Sequence, residues 1–221
     1  MNTWLTFSND LLEQMPLIWQ GLLNTLLLAF VISVTGLLLG IVVLYLRLSR
    51  NGFVRRATQA YISFFIGMPL IVLLFLMYYG APQFGIKITP FAVAVIGFTL
   101  NVAAYNAAYM TTAYNGLDPT ELEAARAQGF SELQVFRLIT LPQVLRTSIP
   151  ALTNQVISNI KDSSIAFLIQ YTEFFARVQE LASSNFQFFK AYLFAAVVYL
   201  VLVSFVVLAA RVLQKRLGLS L

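Results

Sequence analysis

Four stretches of this chain run for 20 residues or more without a charge, which is more apolar chain than a water-soluble surface can cover. Between Glu13 and Arg47 lie 33 such residues, between Arg56 and Lys87 another 30, and between Lys87 and Asp118 a further 30; Ala191 to Ala210 supplies 20. A helix needs about 20 apolar residues to cross roughly 30 Å of hydrocarbon, so each run is long enough to span a bilayer. A fifth stretch, Ser148 to Gln170, is apolar except for Lys161 and Asp162 near its middle. The expected fold is therefore an all-α integral membrane protein, a single transmembrane domain over 1–221. Its five transmembrane helices are expected near 17–46, 57–80, 89–116, 148–170 and 189–210. Asp10 and Glu13 precede the first span where a signal peptide would carry positive charge, so that span is expected to stay in the mature protein.

The basic residues give an orientation. Arg47, Arg50, Arg55 and Arg56 follow the first span; Arg126, Arg137 and Arg146 lie between the third and fourth; Arg211, Lys215 and Arg216 follow the fifth. Ten of the fourteen Lys and Arg thus fall on one side, with Lys87, Arg177 and Lys190 on the other. Short basic loops stay in the cytoplasm, which puts the N-terminus outside and the C-terminus in the cytoplasm, as five spans require. The net charge of +5 then reads as topology charge beside anionic lipid, and no nucleic-acid partner is expected.

Composition narrows the chemistry. The chain has no cysteine and no histidine, which excludes disulfides and thiolate metal sites and removes the commonest general base. It also lacks a Gly-x-x-x-x-Gly-Lys phosphate loop. No cofactor and no catalytic residue is expected, and energy for any active transport must come from another polypeptide.

One polar segment interrupts the apolar pattern, from Asp118 to Pro142. Asp118 suits an N-cap, Pro119 the first helical position and Glu121 the acid of a capping box. Gly129 can end this first helix in a left-handed conformation. Ser131 and Gln134 cap a second helix, with Phe130 placed to staple onto Val135, and Pro142 marks where it ends. Leu122, Leu133 and Phe136 are the apolar anchors. The Ala125, Gly129, Ser131, Val135 spacing also fits a DNA-reading helix-turn-helix. From Asp118 to Arg146, however, four acids face three bases, and a segment tethered between two spans with that balance does not attract phosphate.

Glu123-Ala124-Ala125, three residues, Gly129, nine residues, then Ile139-Thr140-Leu141-Pro142 resembles the EAA loop of ABC-importer permeases at every defined position. On that resemblance the chain is identified as a member of the polar amino acid permeases, with the type I ABC-importer permease architecture. Gly21-Leu22-Leu23-Asn24-Thr25-Leu26, Met68-Pro69-Leu70 with Tyr78-Tyr79-Gly80, Ala103-Ala104-Tyr105 and Lys161-Asp162-Ser163-Ser164 are similar to its core helices. The resemblance implies that Glu123, Ala124, Ala125, Gly129, Ile139, Leu141 and Pro142 belong to a cytoplasmic coupling segment that docks on an ATPase. It implies two cytoplasmic ATP-binding subunits, a second permease subunit (identical or homologous) and an extracytoplasmic solute-binding protein, all at a bacterial inner membrane. Import of a polar amino acid or similar small solute follows.

For the substrate path, Lys161-Asp162 is the one charged pair inside an expected span. Such groups are costly in hydrocarbon and face a cavity or a partner. Asn154, Ser158, Lys161 and Asp162 fall at i, i+4, i+7 and i+8, one polar stripe on a helix; Asn101 and Tyr105 form a shorter one. An ion pair holding the bundle together and a lining of the substrate path both remain open. The family pattern carries Arg-Gly-Thr-Pro where this chain has Ile66-Gly67-Met68-Pro69, and a Glu and an Arg where it has Ala108 and Thr111; Thr120-Glu121 replaces Gly-Gln. Losing an acid and an arginine together strands no buried charge. Either the solute is unusual or this is the non-gripping half of a heterodimer. A secondary transporter or channel not driven by an ATPase is the alternative, but it would call for internal repeats or a filter, which the sequence lacks.

Overall fold

A computed structural model describes residues 3–216; residues 1–2 and 217–221 of the expected 1–221 domain lie outside the described residues. These are built from helices and their links: α1 (Thr3–Arg47), α2 (Gly52–Gly67), α3 (Leu70–Gly80), α4 (Pro90–Asn115), α5 (Pro119–Ala127), α6 (Glu132–Val135), α7 (Leu141–Asp162), α8 (Phe174–Asn185) and α9 (Phe188–Arg216). A π turn (Phe136–Thr140) joins α6 to α7, and 3-10 segments cover Ala81–Phe84 and Ser163–Ile169.

Trp4–Arg47, Pro90–Asn115 and Phe188–Val212 are each long and apolar enough to cross a membrane. At 1.5 Å per residue, the 45 residues of α1 reach roughly 67 Å, about twice the hydrocarbon thickness. Its start lies well before the expected residue 17 because Phe7 and Ile18 both pack into a buried cluster. The expected second span, 57–80, is not one helix. The helix of Gly52–Gly67 stops, and a new one starts at Leu70. Pro69 forces this: a proline disfavours the helical conformation in the residue before it, and Met68 is extended at φ −91°, ψ 130°. A count of uncharged residues cannot see such a break. The expected fourth span corresponds to α7 and the 3-10 segment after it. With Arg146, Lys161 and Asp162 on α7, that helix is less apolar than the others, and the expected count of five rests on it.

The chain forms two compact units. One takes the chain up to Ser33, Leu70–Gly97 and the chain from Val156; the other takes Val34–Pro69 and Phe98–Gln155. In the first, Phe7 and Ile18 of α1 pack with Phe174, Val178, Leu181 and Ala182 of α8 and with Ala191 and Ala195 of α9. In the second, Leu44 of α1, Met110 of α4, Phe136 and Val144 form one cluster, and Val43, Ile62 and Ala107 another.

Within the second unit, α1 meets α4 through glycines. A Cβ on Gly36 would lie 2.5 Å from Val102 Cγ1, and one on Gly40 would lie 2.9 Å from Asn106 Cβ. Small residues four apart let two helix backbones approach closely where van der Waals packing, not hydrophobic burial, holds helices together. Thr35 and Thr99 add a hydroxyl–hydroxyl bond of 2.6 Å across the same contact. Gly36→Val is expected to destabilise the protein by about 1–3 kcal/mol, the usual cost of overpacking. Gly52→Ala, with open space around it, should melt at or above the wild-type temperature. Thermal unfolding of the two detergent-purified variants tests the contrast.

Candidate functional site: the coupling segment and the polar helix

The polar segment forms as two caps dictate. The Asp118 side chain accepts from Thr120 N at 2.8 Å and starts α5, and hydrogen bonds from Thr120 hold the Asp118 carboxyl below its ordinary value. Glu121 closes no box with Asp118; it accepts from Gln143 Nε2 at 2.8 Å. After α5, Gly129 takes φ +88°, the left-handed conformation in which glycine avoids the cost borne by other residues. Ser131 and Gln134 form a reciprocal capping box, with Gln134 N donating to Ser131 Oγ at 3.3 Å and Ser131 N to Gln134 Oε1 at 2.8 Å. Leu122, Ala125 and Val135 bury against each other, with Tyr114 and Ile139 alongside, and fold the segment onto itself.

Three local expectations are corrected. Pro142 does not end the helix. It sits in the first turn of α7, and the chain stays helical from Glu132 to Asp162. In a regular helix the prolyl ring would clash with the carbonyl four residues back, here that of Leu138. The helix widens instead into a π turn, in which Leu141 N–H reaches the Phe136 carbonyl. Leu133 is exposed and anchors nothing, and Phe130 lies outside the cluster that holds Val135. Glu123, Ala124 and Gly129 are exposed, Ala125 is buried, and Ile139 and Leu141 are half-buried. Arg126 donates to Glu132 through Nε at 3.2 Å and Nη2 at 3.4 Å, and Arg50, from the link after α1, also pairs with Glu132.

On α7, Asn154 and Lys161 are exposed, and Ser158 and Asp162 are half-buried. Among the described residues no salt bridge joins Lys161 to Asp162, though the lysine's charge acts on the neighbouring carboxylate. All four residues of the expected stripe, Asn154, Ser158, Lys161 and Asp162, lie on α7 at i, i+4, i+7 and i+8. The helix also carries a second polar face that the sequence reading missed: Gln155 and Asn159 are buried, and Asn159 Nδ2 donates to Ser33 Oγ at 2.9 Å. Asn101 is buried and donates from Nδ2 to the Phe65 carbonyl at 2.8 Å. Tyr105 is half-buried, with its ring 6.3 Å from that of Tyr109. Ile66 and Ala108, which stand where the resemblance has charges, pack against the same cluster of Val43, Ile62 and Ala107. Thr111 turns its hydroxyl to the Ala107 carbonyl at 2.7 Å.

The fully buried acid was not expected. Glu173, 0% exposed, caps α8 by accepting from Ala176 N at 2.7 Å. Its other oxygen accepts from Thr25 Oγ1 of α1 at 3.0 Å and from Tyr199 OH of α9 at 3.3 Å. Thr25 Oγ1 in turn accepts from Phe174 N at 3.1 Å. Gly21, one turn earlier, leaves no room for a side chain, since a Cβ there would lie 2.9 Å from the Glu173 carbonyl oxygen. One carboxylate thus ties three helices together.

Residues 32–219 match the family described as binding-protein-dependent transport system inner membrane component. The chain belongs to that family. It is 39% identical to the probable amino-acid ABC transporter permease protein PatM of Vibrio harveyi, over 86% of this chain and 87% of that protein. It is 32% identical to the L-cystine transport system permease protein TcyB of Bacillus subtilis, over 94% and 90%. A crystal structure of an amino acid ABC transporter with histidines superposes at a TM-score of 0.84, with 28% identity over 93% of this chain and 96% of that one. The MetNI methionine ABC transporter, inward facing, gives 0.76 at 21% identity over 92% and 97%, a likeness of fold. The chain is the transmembrane subunit of an ABC importer, with the type I permease architecture that its motifs resemble.

In this permease Glu173 gathers donors from Thr25, Ala176 and Tyr199 on three helices into one knot. Glu173→Ala would leave the Thr25, Tyr199 and Ala176 donors unsatisfied, at about 1–3 kcal/mol for a stranded buried donor. The variant is expected to melt lower than wild type, and Glu173→Gln, which still accepts at one oxygen, to fall between them. Equal melting of Glu173→Ala and wild type in detergent would contradict the knot.

Proposed function

We propose that this permease imports a polar amino acid or similar small solute, delivered by an external binding protein and driven by two cytoplasmic ATP-binding subunits. Two permease subunits form the pathway, with the N-terminus outside and the C-terminus and the α5–α6 segment in the cytoplasm. The names of the relatives support the solute class, and the ten basic residues on one side support the orientation. The observation that carries the coupling role is the segment itself: a self-capped, two-helix knob whose Gly129 has open space around it. A bare glycine at a helix end is a point of close approach for another protein.

The stripe of exposed Asn154 and Lys161 with half-buried Ser158 between them on α7 suits the second permease subunit or the path between the two. Asp162, half-buried at the end of α7, is positioned to face that path.

Two experiments in vesicles containing the reconstituted, fully assembled transporter test these roles. Gly129→Val meets no neighbour in the subunit, so the chain should fold, with backbone strain of about 1–3 kcal/mol. Uptake should fall several-fold more than ATP hydrolysis; unchanged uptake per ATP hydrolysed would remove the coupling role. For Asp162, both Asp162→Ala and the double change of Lys161 and Asp162 to Leu should lose uptake. The double variant strands no charge and should assemble normally, so normal uptake by it would make Asp162 a structural residue.

A further inference from the structure

A cavity of about 290 Å³ opens among the end of α1, the link that follows it, α4, and the α5–α6 segment. Its polar lining is lopsided. Arg50 and Arg126 contribute two guanidinium groups, Glu132 one carboxylate, and Ser49 a hydroxyl. Both arginines clasp Glu132, yet one carboxylate balances only one of them. A guanidinium has five N–H donors, and the bonds to Glu132 use one from Arg50 and two from Arg126. The cavity therefore carries surplus positive charge and surplus donors in a forked geometry suited to phosphate. Arg47, Arg55 and Arg56 add to the field from the same stretch of chain.

Size and surroundings narrow the ligand. The volume sits near the low end of small-molecule sites, roughly 300–1,000 Å³, enough for a headgroup but not for acyl chains. Tyr45 and Leu46 line the same cavity and are 37% and 40% exposed on the side of an apolar helix, which gives the chains of a lipid an apolar track leading to the arginines. Basic pockets between membrane helices on the cytoplasmic side hold anionic headgroups. We infer that this cavity binds the phosphate-bearing headgroup of an anionic phospholipid, held by Arg50 and Arg126. The inference rests on the proposed orientation, which puts this end of α1 at the cytoplasmic leaflet. It also gives the lipid a role. Glu132 begins α6 and is tied to Arg50 before α2, so a phosphate that competes for the two arginines loosens or resets the proposed coupling segment.

The test uses the whole transporter, permease with its ATPase, purified in detergent and exchanged into vesicles of neutral phosphatidylcholine with or without phosphatidylglycerol. Mass spectrometry of the detergent-solubilised complex should show phosphatidylglycerol retained by wild type. Retention by R50Q/R126Q should be weaker by about tenfold or more, as the loss of a charge-assisted hydrogen bond implies. R55Q/R56Q, outside the cavity, should retain it, and R50K/R126K, which keeps the charge but not the fork, should fall between. In vesicles, phosphatidylglycerol should change uptake per ATP hydrolysed for wild type and not for R50Q/R126Q. Equal retention by wild type and R50Q/R126Q would overturn the site, and equal loss in R55Q/R56Q would reduce it to general attraction for a basic surface. Displacement of the lipid by inorganic phosphate would show a free-anion site and overturn the lipid assignment. The chain has no cysteine, so S49C provides a single thiol to label from either side of sealed vesicles. Labelling from outside would overturn the orientation while headgroup binding, read in detergent, stands on its own result.

Discussion

Asn101 donates its amide to the Phe65 carbonyl at 2.8 Å, and the group that would bond that carbonyl in an unbroken helix is the backbone N–H of residue 69, which is a proline. Hydrocarbon offers no water to replace a lost backbone partner, so a broken membrane helix persists only where another part of the protein supplies one. α4 supplies it here. The same solution recurs at the link into α8, where Asn24 Nδ2 donates to the Thr172 carbonyl at 2.8 Å and Thr25 Oγ1 accepts from Phe174 N. Tyr171 OH returns a bond to the Asn24 carbonyl at 3.2 Å. The irregular backbone of this permease is therefore held by a few amide and hydroxyl side chains on its regular helices. Asn101, first read as a lining of the solute path, has such a structural partner.

Local signals were legible in the sequence and distant ones were not. The helix starts and the stop in the α5–α6 segment could be read because a cap, its box and a left-handed glycine act within four residues of each other, whereas Pro142, Leu133 and Phe130 depend on more distant packing. Asp118, Ser131, Gln134 and Gly129 all behave as their neighbours dictate. The break at Pro69 was also written locally, but counting charges passes over a proline. Glu173 could not have been found that way. Its partner Thr25 lies 148 residues distant in the chain, and a glutamate beside an aromatic pair reads equally well as a loop residue.

The apolar positions Ile66 and Ala108 gain meaning from their packing. The sequence shows only that charges expected from the resemblance are missing at Ile66, Ala108 and Thr111, the first two 42 residues apart. The structure brings Ile66 and Ala108 to one cluster with Val43, Ile62 and Ala107. A charge introduced at either position alone would be desolvated there without a counter-ion, at a cost that a pair would offset. Joint replacement by apolar residues is the arrangement that packs without penalty.

The join between the knob and α7 follows from the same backbone accounting. Pro142 lacks the N–H that would bond the Leu138 carbonyl, and its ring would press on that carbonyl in a regular helix. A break here would leave the knob hinged. The π turn instead shifts one bond to the i−5 register, Leu141 N–H to Phe136 O, and keeps the chain helical from Glu132 through Asp162. Phe136 is buried against Leu44, Met110 and Val144 at that turn, so the widened turn is also packed in place. If α5–α6 receives the movement of an ATPase as proposed, the route from it into α7 is helical throughout, past both Pro142 and Pro150. A flexible link at the same place would let the knob move while α7 stayed still.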